Sequence, residues 1–185
     1  MIGHKFLNAG MRGFSFVMAN DDWQAPPPIP IVRDETAMMR SLQAEYSAVH
    51  RQEKTCCLVI SRPDTTAEAT EADILEAVGE RFSRGLRPYD GLFAFGSDRF
   101  LISLPHIQPE DAIGVMERLR ENISRSPLQA GIGGNVAATI SLGGTMIDPT
   151  LPLQDNIDRA DQALFEAWRE GGDRVCLWSP DLDAP

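Results

Sequence analysis

Two short runs in the middle of the chain carry the residue types that could do chemistry. Arg87-Pro88-Tyr89-Asp90 sets a guanidinium and a carboxylate close together around a proline. An arginine offers a planar fork of donors that suits phosphate oxygens and base edges, and a carboxylate offers a pair of acceptors. Gly96-Ser97-Asp98-Arg99-Phe100 follows. Glycine accepts positive φ, and serine and aspartate bond to nearby backbone, so this run reads as a tight turn with Asp98 at its tip. The turn lies between apolar residues 92–95 and 100–104, which makes the whole a β-hairpin. An acid at such a tip can touch a metal ion. Read locally, both Arg/Asp pairs are also ordinary turn ion pairs, which contribute little. His4, His50 and His106 have no neighbouring base or nucleophile in sequence.

Composition narrows the setting. A chain of 185 residues is one domain plus an extension, and 43% hydrophobic residues suffice for a core. A net charge of −10 excludes a general nucleic-acid polymer surface, which needs clustered Lys and Arg, but leaves room for one small basic pocket. Cys56 and Cys57 are adjacent in an apolar run and Cys176 stands apart. That pattern is neither a disulfide framework nor a zinc-ligand spacing, so buried thiols in a reducing cytoplasm are expected. No apolar run approaches the roughly 20 residues of a membrane span, and Asn8 and Arg12 interrupt any cleavable leader.

The elements that must position these residues follow from periodicity. Residues 1–25 mix Gly, Phe, Met and Asn without a period, and Phe6, Phe14, Phe16 and Trp23 make them a leader or an arm that docks on the domain or a partner. The proline run from Pro26 to Pro30 is a stiff extended linker. The pattern over 34–52 is helical, with Met38, Leu42, Tyr46 and Val49 on one face. Residues 55–60 form a core strand that Pro63 ends. A second helix covers 66–84, burying Ile74, Leu75, Val78 and Phe82. After the hairpin, Pro109 opens a third helix over 109–124 with a stripe of Ala112, Val115, Met116, Leu119 and Ile123. A strand over 136–147, a fourth helix over 153–170 stopped by Gly171-Gly172, and a last strand over 174–178 complete the chain, with a frayed tail over 179–185. The order predicts an α/β (α+β) domain: a single sheet with helices packed on it.

The hairpin resembles the signature of GGDEF domains, the diguanylate cyclase family, with the signature altered to Gly96-Ser97-Asp98-Arg99-Phe100. Three further blocks resemble the family in the right order: the helix from Ala112 to Arg120, the strand Thr139-Ile140-Ser141-Leu142-Gly143, and the helix Ala160-Asp161-Gln162-Ala163-Leu164-Phe165. The resemblance covers about residues 33–178, leaving 1–32 as extension and linker. It implies a ferredoxin-like sheet related to nucleotidyl cyclases.

The resemblance also implies what the site residues do. Active members hold Mg²⁺ with an acid at the turn and another at the end of the first strand. Asp98 stands in the turn acid's place. The first-strand acid is absent, since Ile60 is followed by Ser61-Arg62-Pro63. Arg99 replaces the second acid, Ser97 replaces a glycine, Ala72 replaces the guanine-binding Asp, and Trp168 and Gly172 stand where the family keeps phosphate-binding cations. The expectation is therefore a domain that is no enzyme, uses no cofactor and holds no metal, with residues 96–100 vestigial. Arg87-x-x-Asp90, in contrast, has the spacing of the family's inhibitory site for the product cyclic di-GMP, and Arg118 falls where the family adds a second arginine. Arg87, Asp90 and Arg118 are the expected ligand residues of a cyclic di-GMP receptor that signals through a protein partner or a homodimer. Two alternatives stand beside it: a ligand-independent interaction or dimerisation module, and a residual enzyme or GTP sensor built on Asp98.

Overall fold

A computed structural model describes residues 27–64, 70–131 and 134–183. The arm expected over residues 1–25, and the start of the helix expected from residue 66, lie outside them. The elements run β1 Ile31–Val32, α1 Glu35–His50, β2 Cys56–Pro63, α2 Glu71–Gly85, β3 Gly91–Phe95, β4 Arg99–Pro105, α3 Pro109–Ser124, β5 Leu128–Ala130, β6 Gly134–Val136, β7 Ile140–Met146, α4 Leu153–Arg169 and β8 Val175–Leu177.

Six strands form one sheet in the order β1-β3-β4-β2-β7-β8, and β5 pairs β6 in a separate ribbon. β2 is the central strand, antiparallel to β4 on one side and β7 on the other. Its alternate residues feed two cores. Cys57 and Val59 face Ile74, Val78 and Phe82 of α2 and Met116, Leu119 and Ile123 of α3. Cys56, Leu58 and Ile60 face Met38 and Leu42 of α1 and Ile157, Ala160 and Leu164 of α4. A strand covered on both faces must be apolar at every position, which is why its sequence shows a run rather than an alternation. Both β2 thiols are buried, and desolvation pushes that of Cys57 up to about 12, which keeps it protonated and unreactive.

The helix ends are fixed by local chemistry. Asp34 accepts the Ala37 N–H at 2.7 Å to start α1, and Thr70 accepts the Asp73 N–H to start α2. The last turn of α3 carries no basic residue of its own. Arg81 of α2 supplies one, donating to the carbonyls of Asn122 at 2.8 Å, Ile123 at 3.3 Å, Ser126 at 2.7 Å, and Pro127. A guanidinium has donors enough to satisfy several orphan carbonyls at a helix end, and this one also fastens α2 to α3.

Three expectations change. Residues 29–32 are part of the domain rather than linker: Ile29 is buried and bonded to Ser83 of α2, and β1, Ile31–Val32, pairs parallel with β3. Pro28 and Pro30 precede β1, so they remove no donor from its pairing with β3. The single strand expected over 136–147 is two elements, since Val136 pairs with Leu128 while β7 pairs with β2 from Ile140 onward. Periodicity reports burial, and it does not register a change of pairing partner. The tail expected to fray from residue 179 makes a 3-10 turn over Pro180–Asp183.

Gly143 sets how closely α4 lies on the sheet. A Cβ there would meet the Leu164 backbone nitrogen at 1.9 Å and the Ala160 carbonyl oxygen at 2.5 Å. Backbone cannot rotate away as a side chain can. Gly143→Ala is therefore expected to cost about 3 kcal/mol, the upper end of ordinary overpacking, read as a fall in the denaturant midpoint; a midpoint within error of wild type would contradict this packing.

Candidate functional site

The hairpin positions both candidate runs, one at each end. At its base, Arg87 to Asp90 form a β-turn: the Asp90 N–H donates to the Arg87 carbonyl at 2.9 Å, with Pro88 where a fixed φ is favoured. The Asp90 carboxylate closes the turn by accepting the Arg87 N–H at 2.7 Å. The Arg87 guanidinium reaches over Tyr89, 5.9 Å from the ring centre, and donates to its hydroxyl at 3.1 Å. Arg118, on α3, donates to the Gly85 carbonyl at the end of α2 at 3.1 Å. The three expected ligand residues thus come together within one chain, with Arg87, Tyr89 and Arg118 exposed and Asp90 half-buried. Burial raises the Asp90 carboxyl above its usual range, opposed by the Arg87 N–H and by the charges of Arg87 and Arg118.

At the tip, Gly96 takes φ +69 and the chain reverses through Ser97 and Asp98. Asp98 is engaged by Arg62 at 3.1 Å and by Arg99 at 3.7 Å. Arg99 also pairs with Asp161 of α4 at 2.6 Å and lies over the Phe95 ring at 4.9 Å. Phe100 faces inward, edge-on to Phe82 with centroids 6.0 Å apart; it belongs to the core, and the turn proper is 96–98. Between the tip and α4 lies a cleft of about 390 Å³, walled by Arg62, Arg99, Asp161, Phe165 and Trp168. A smaller one on the other side of Arg62 and Asp98 is lined by Glu71, Ile74 and Leu75 of α2.

Sequence reasoning gave no role to Arg62, Asp64 or Asp161. Asp64 accepts from Ser141 at 2.6 Å, from Thr139 at 3.1 Å and from the Asp173 N–H at 2.9 Å. It ties the loop after α4 to the start of β7, which gives Thr139 and Ser141 a structural purpose. Arg62 was legible in part, since it continues the alternate positions of Cys56, Leu58 and Ile60 towards α4.

The model of the family described as "Diguanylate cyclase, GGDEF domain" matches residues 68–174, more than half of the chain. The chain belongs to the GGDEF family. Among curated relatives, it is 32% identical over 119 residues to "Diguanylate cyclase DosC" of Escherichia coli strain K12, covering 64% of this chain and 26% of that protein. It is 27% identical over 154 residues to "Diguanylate cyclase A" of Treponema denticola, covering 80% and 41%. The chain thus spans about a quarter of the length of the first curated relatives it matches. Its fold matches the GGDEF domain of DgcB from Caulobacter crescentus, solved in complex with c-di-GMP, at a TM-score of 0.71 and 21% identity, covering 79% of this chain and 91% of that one.

These findings correct one expectation. The altered turn, the missing first-strand acid, and the replacements at Ala72, Trp168 and Gly172 together predict a domain that is no enzyme, but its relatives are named diguanylate cyclases, and the family is a family of enzymes. Altered residues at several motif positions do not by themselves separate a domain from the activity of its relatives.

The Mg²⁺ that the family implies needs several oxygen ligands with net negative charge. Asp98 is already neutralised by two guanidiniums. Ser61, where the first-strand acid would stand, offers a neutral hydroxyl that is buried without a hydrogen-bond partner. Among the described residues, no group of three or more His, Cys, Asp or Glu is placed to hold a metal. The described residues do not fit the ion, and no step is routed through it. Among the same residues, no helix is long and apolar enough to cross a membrane.

Asp90 generates a prediction about stability. Its folded value is raised, so the folded state holds the proton more tightly than the unfolded chain, and its stabilising contribution, present at acid pH, is lost as pH rises through the folded value. Asp90→Asn keeps an acceptor for the Arg87 N–H and removes the desolvated charge. At neutral pH the variant is expected to match or exceed wild type in denaturant unfolding, with the difference shrinking as pH falls through the carboxylate range. A loss of more than about 1 kcal/mol, the worth of one hydrogen bond, would mean that the turn needs the charge.

Proposed function

We propose that this GGDEF domain acts in cyclic di-GMP signalling by binding the dinucleotide at Arg87, Asp90 and Arg118, and that occupancy changes its contacts with a protein partner or a second copy. The observation that carries the reading is the convergence of the three side chains at the base of the hairpin. The ligand presents guanine edges and phosphates. A carboxylate accepts from the guanine N1–H and amino group, and a guanidinium donates to O6 and N7 or to a phosphate. Arg87 reaches outward over Tyr89 rather than into a buried ion pair, so its fork is turned to solvent. The turn holds Asp90 through the backbone, which lowers the cost of ordering the acceptor on binding. A cytoplasmic location follows for a domain that reads a cytoplasmic second messenger.

A second reading is favoured by the named relatives: formation of cyclic di-GMP from GTP at the hairpin tip, with Asp98 as the acid closest to the reacting phosphates. Incubation with GTP and Mg²⁺, followed by chromatography, separates the two. Product that disappears in Asp98→Ala establishes the second; saturable binding of cyclic di-GMP that Arg87→Ala weakens supports the first.

Calorimetric titration with cyclic di-GMP tests the first reading directly. Wild type is expected to bind saturably. Arg87→Ala is expected to weaken binding roughly 10- to 100-fold, since a bidentate arginine–guanine contact is worth about 1–3 kcal/mol. Affinity is expected to fall as pH drops through the raised Asp90 value, because protonation turns one oxygen of the acceptor pair into a donor. Unchanged affinity in Arg87→Ala would remove the site from consideration.

A further inference from the structure

Phe165 and Trp168 stand uncovered on α4. They are 56% and 54% exposed, with ring centroids 6.3 Å apart. Asp161 stands one turn before Phe165 on the same helix, and Asp158 about one turn before that. Residues spaced at three and four share a helix face, so the acids and the rings make one stripe. Asp158 accepts from the neutral amide of Gln154 at 2.8 Å, and Asp161, half-exposed, pairs with Arg99 at 2.6 Å. The cleft against the hairpin tip runs beside this stripe, with Arg62 and Arg99 on its far side. Large apolar rings exposed side by side mark a surface that something covers. We propose that the chain covers it with its own N-terminal arm: residues 12–16 lie extended along α4, with Phe14 on Phe165, Phe16 on Trp168, and Arg12 at Asp161 and Asp158.

Spacing, charge and reach all favour this occupant. In an extended chain alternate side chains point the same way, about 6.6–6.8 Å apart. Arg12, Phe14 and Phe16 alternate with Gly13 and Ser15, so one side carries a cation and two rings and the other is small. That pitch matches the 6.3 Å between the two α4 rings. It also matches the rise of about 6 Å over four helical residues, the step from Asp161 to Phe165. Residues 1–20 hold Lys5 and Arg12 and no acid, in a chain of net charge −10, so the arm brings positive charge to an acidic helix face. Residues 1–26 lie outside the described ones, and Ile29, buried and bonded to Ser83, fixes where they leave the domain. The stretch between Phe16 and Pro27 spans about 35 Å when extended, against a radius of gyration of about 15 Å for a domain of this size. A tether this short keeps the arm at an effective concentration on the order of millimolar, where a few ring contacts suffice and the chain's own arm outcompetes a second copy's.

The contact needs no ligand and does not depend on the Arg87 reading. Labelling the whole chain with fluorotryptophan gives one fluorine resonance each for Trp23, Trp168 and Trp178, assigned by substituting each with Phe in turn. Phe14→Ser/Phe16→Ser is expected to move the Trp168 resonance and to leave that of Trp178, which lies under the Arg159 guanidinium at 3.8 Å. Trypsin reads the same contact from the arm. Cleavage after Arg12 follows the population of undocked arm, so Trp168→Ser is expected to quicken it about 10-fold. Ile113→Ser, at an exposed apolar position on α3, is expected to leave it at the wild-type rate. Trp168 is half-exposed, so an unchanged thermal melt is expected and shows that the variant is folded. Protection of Arg12 in the wild type is expected to be independent of protein concentration. A Trp168 resonance that Phe14→Ser/Phe16→Ser leaves in place, or cleavage after Arg12 no faster in Trp168→Ser than in wild type, would overturn the proposal. Protection that grows with concentration would assign the surface to the arm of a second copy and overturn it as well.

Discussion

The double burial of β2 is the constraint from which the rest of the domain follows. Residues 56–60 are inaccessible on both faces, and β4 and β7 occupy both edges. A one-residue register slip would therefore exchange the two cores and turn Cys57 and Val59 towards α1 and α4. Pairing to β4 over six residues and to β7 over seven fixes the register twice. That leaves only the end of the strand free to carry polar groups. Arg62 emerges there on the α4 side, beside the hairpin tip that β4 brings up. The cleft at the hairpin tip lies in this sense where the central strand runs out of helix to bury it.

Much of this was legible in the chain. Each helix shows its stripe, and α3 is found within its exact bounds because Pro109 marks the start and its five apolar positions are all buried. The hairpin was legible because Gly96, Ser97 and Asp98 have turn chemistry of their own. The convergence of Arg87 with Asp90 is local and readable in four residues, whereas that of Arg118 depends on how α2 and α3 lie together. That packing is held by Arg81 against the end of α3, a contact across more than 40 positions that no local pattern shows. The edge strand β1 was hidden by its two-residue length and the prolines before it, and the Arg62–Asp98 and Arg99–Asp161 pairs by their separation in sequence.

The two ends of the hairpin use the same residue types to different ends. At the tip, arginine and aspartate are matched: Asp98 and Asp161 are each within ion-pair distance of Arg99, and Arg62 shares Asp98. Matching lowers the cost of burying part of each charge and leaves a nearly neutral wall. At the base, Asp90 spends its short bond on a backbone N–H, while Arg87 and Arg118 bond to a hydroxyl and a carbonyl. Positive charge therefore exceeds negative locally in a chain whose net charge is −10. An anion finds a reason to settle at the base that it does not find at the tip, whatever the remainder of the surface does.

How occupancy at the base could reach a partner is limited by the stiffness of the hairpin. Gly91, next to Asp90, has no room for a Cβ: Ser103 and the Phe93 ring would stand 2.5 and 2.6 Å from it. β3 is therefore pressed against β4 and is a poor element to bend. The junction of α2 with α3 is the softer one. Arg118 bonds to α2 at the Gly85 carbonyl, and a Cβ at Gly85 would meet its nearest neighbours, Asn122 and Leu119, at ordinary contact distance. A ligand that draws Arg118 away from Gly85 exchanges one carbonyl acceptor for phosphate or base acceptors without disturbing either core. For such an exchange to act as a switch, the ligand must favour the released position of Arg118 over the held one. The charge of a phosphate against the partial charge of a carbonyl supplies a difference of that sign.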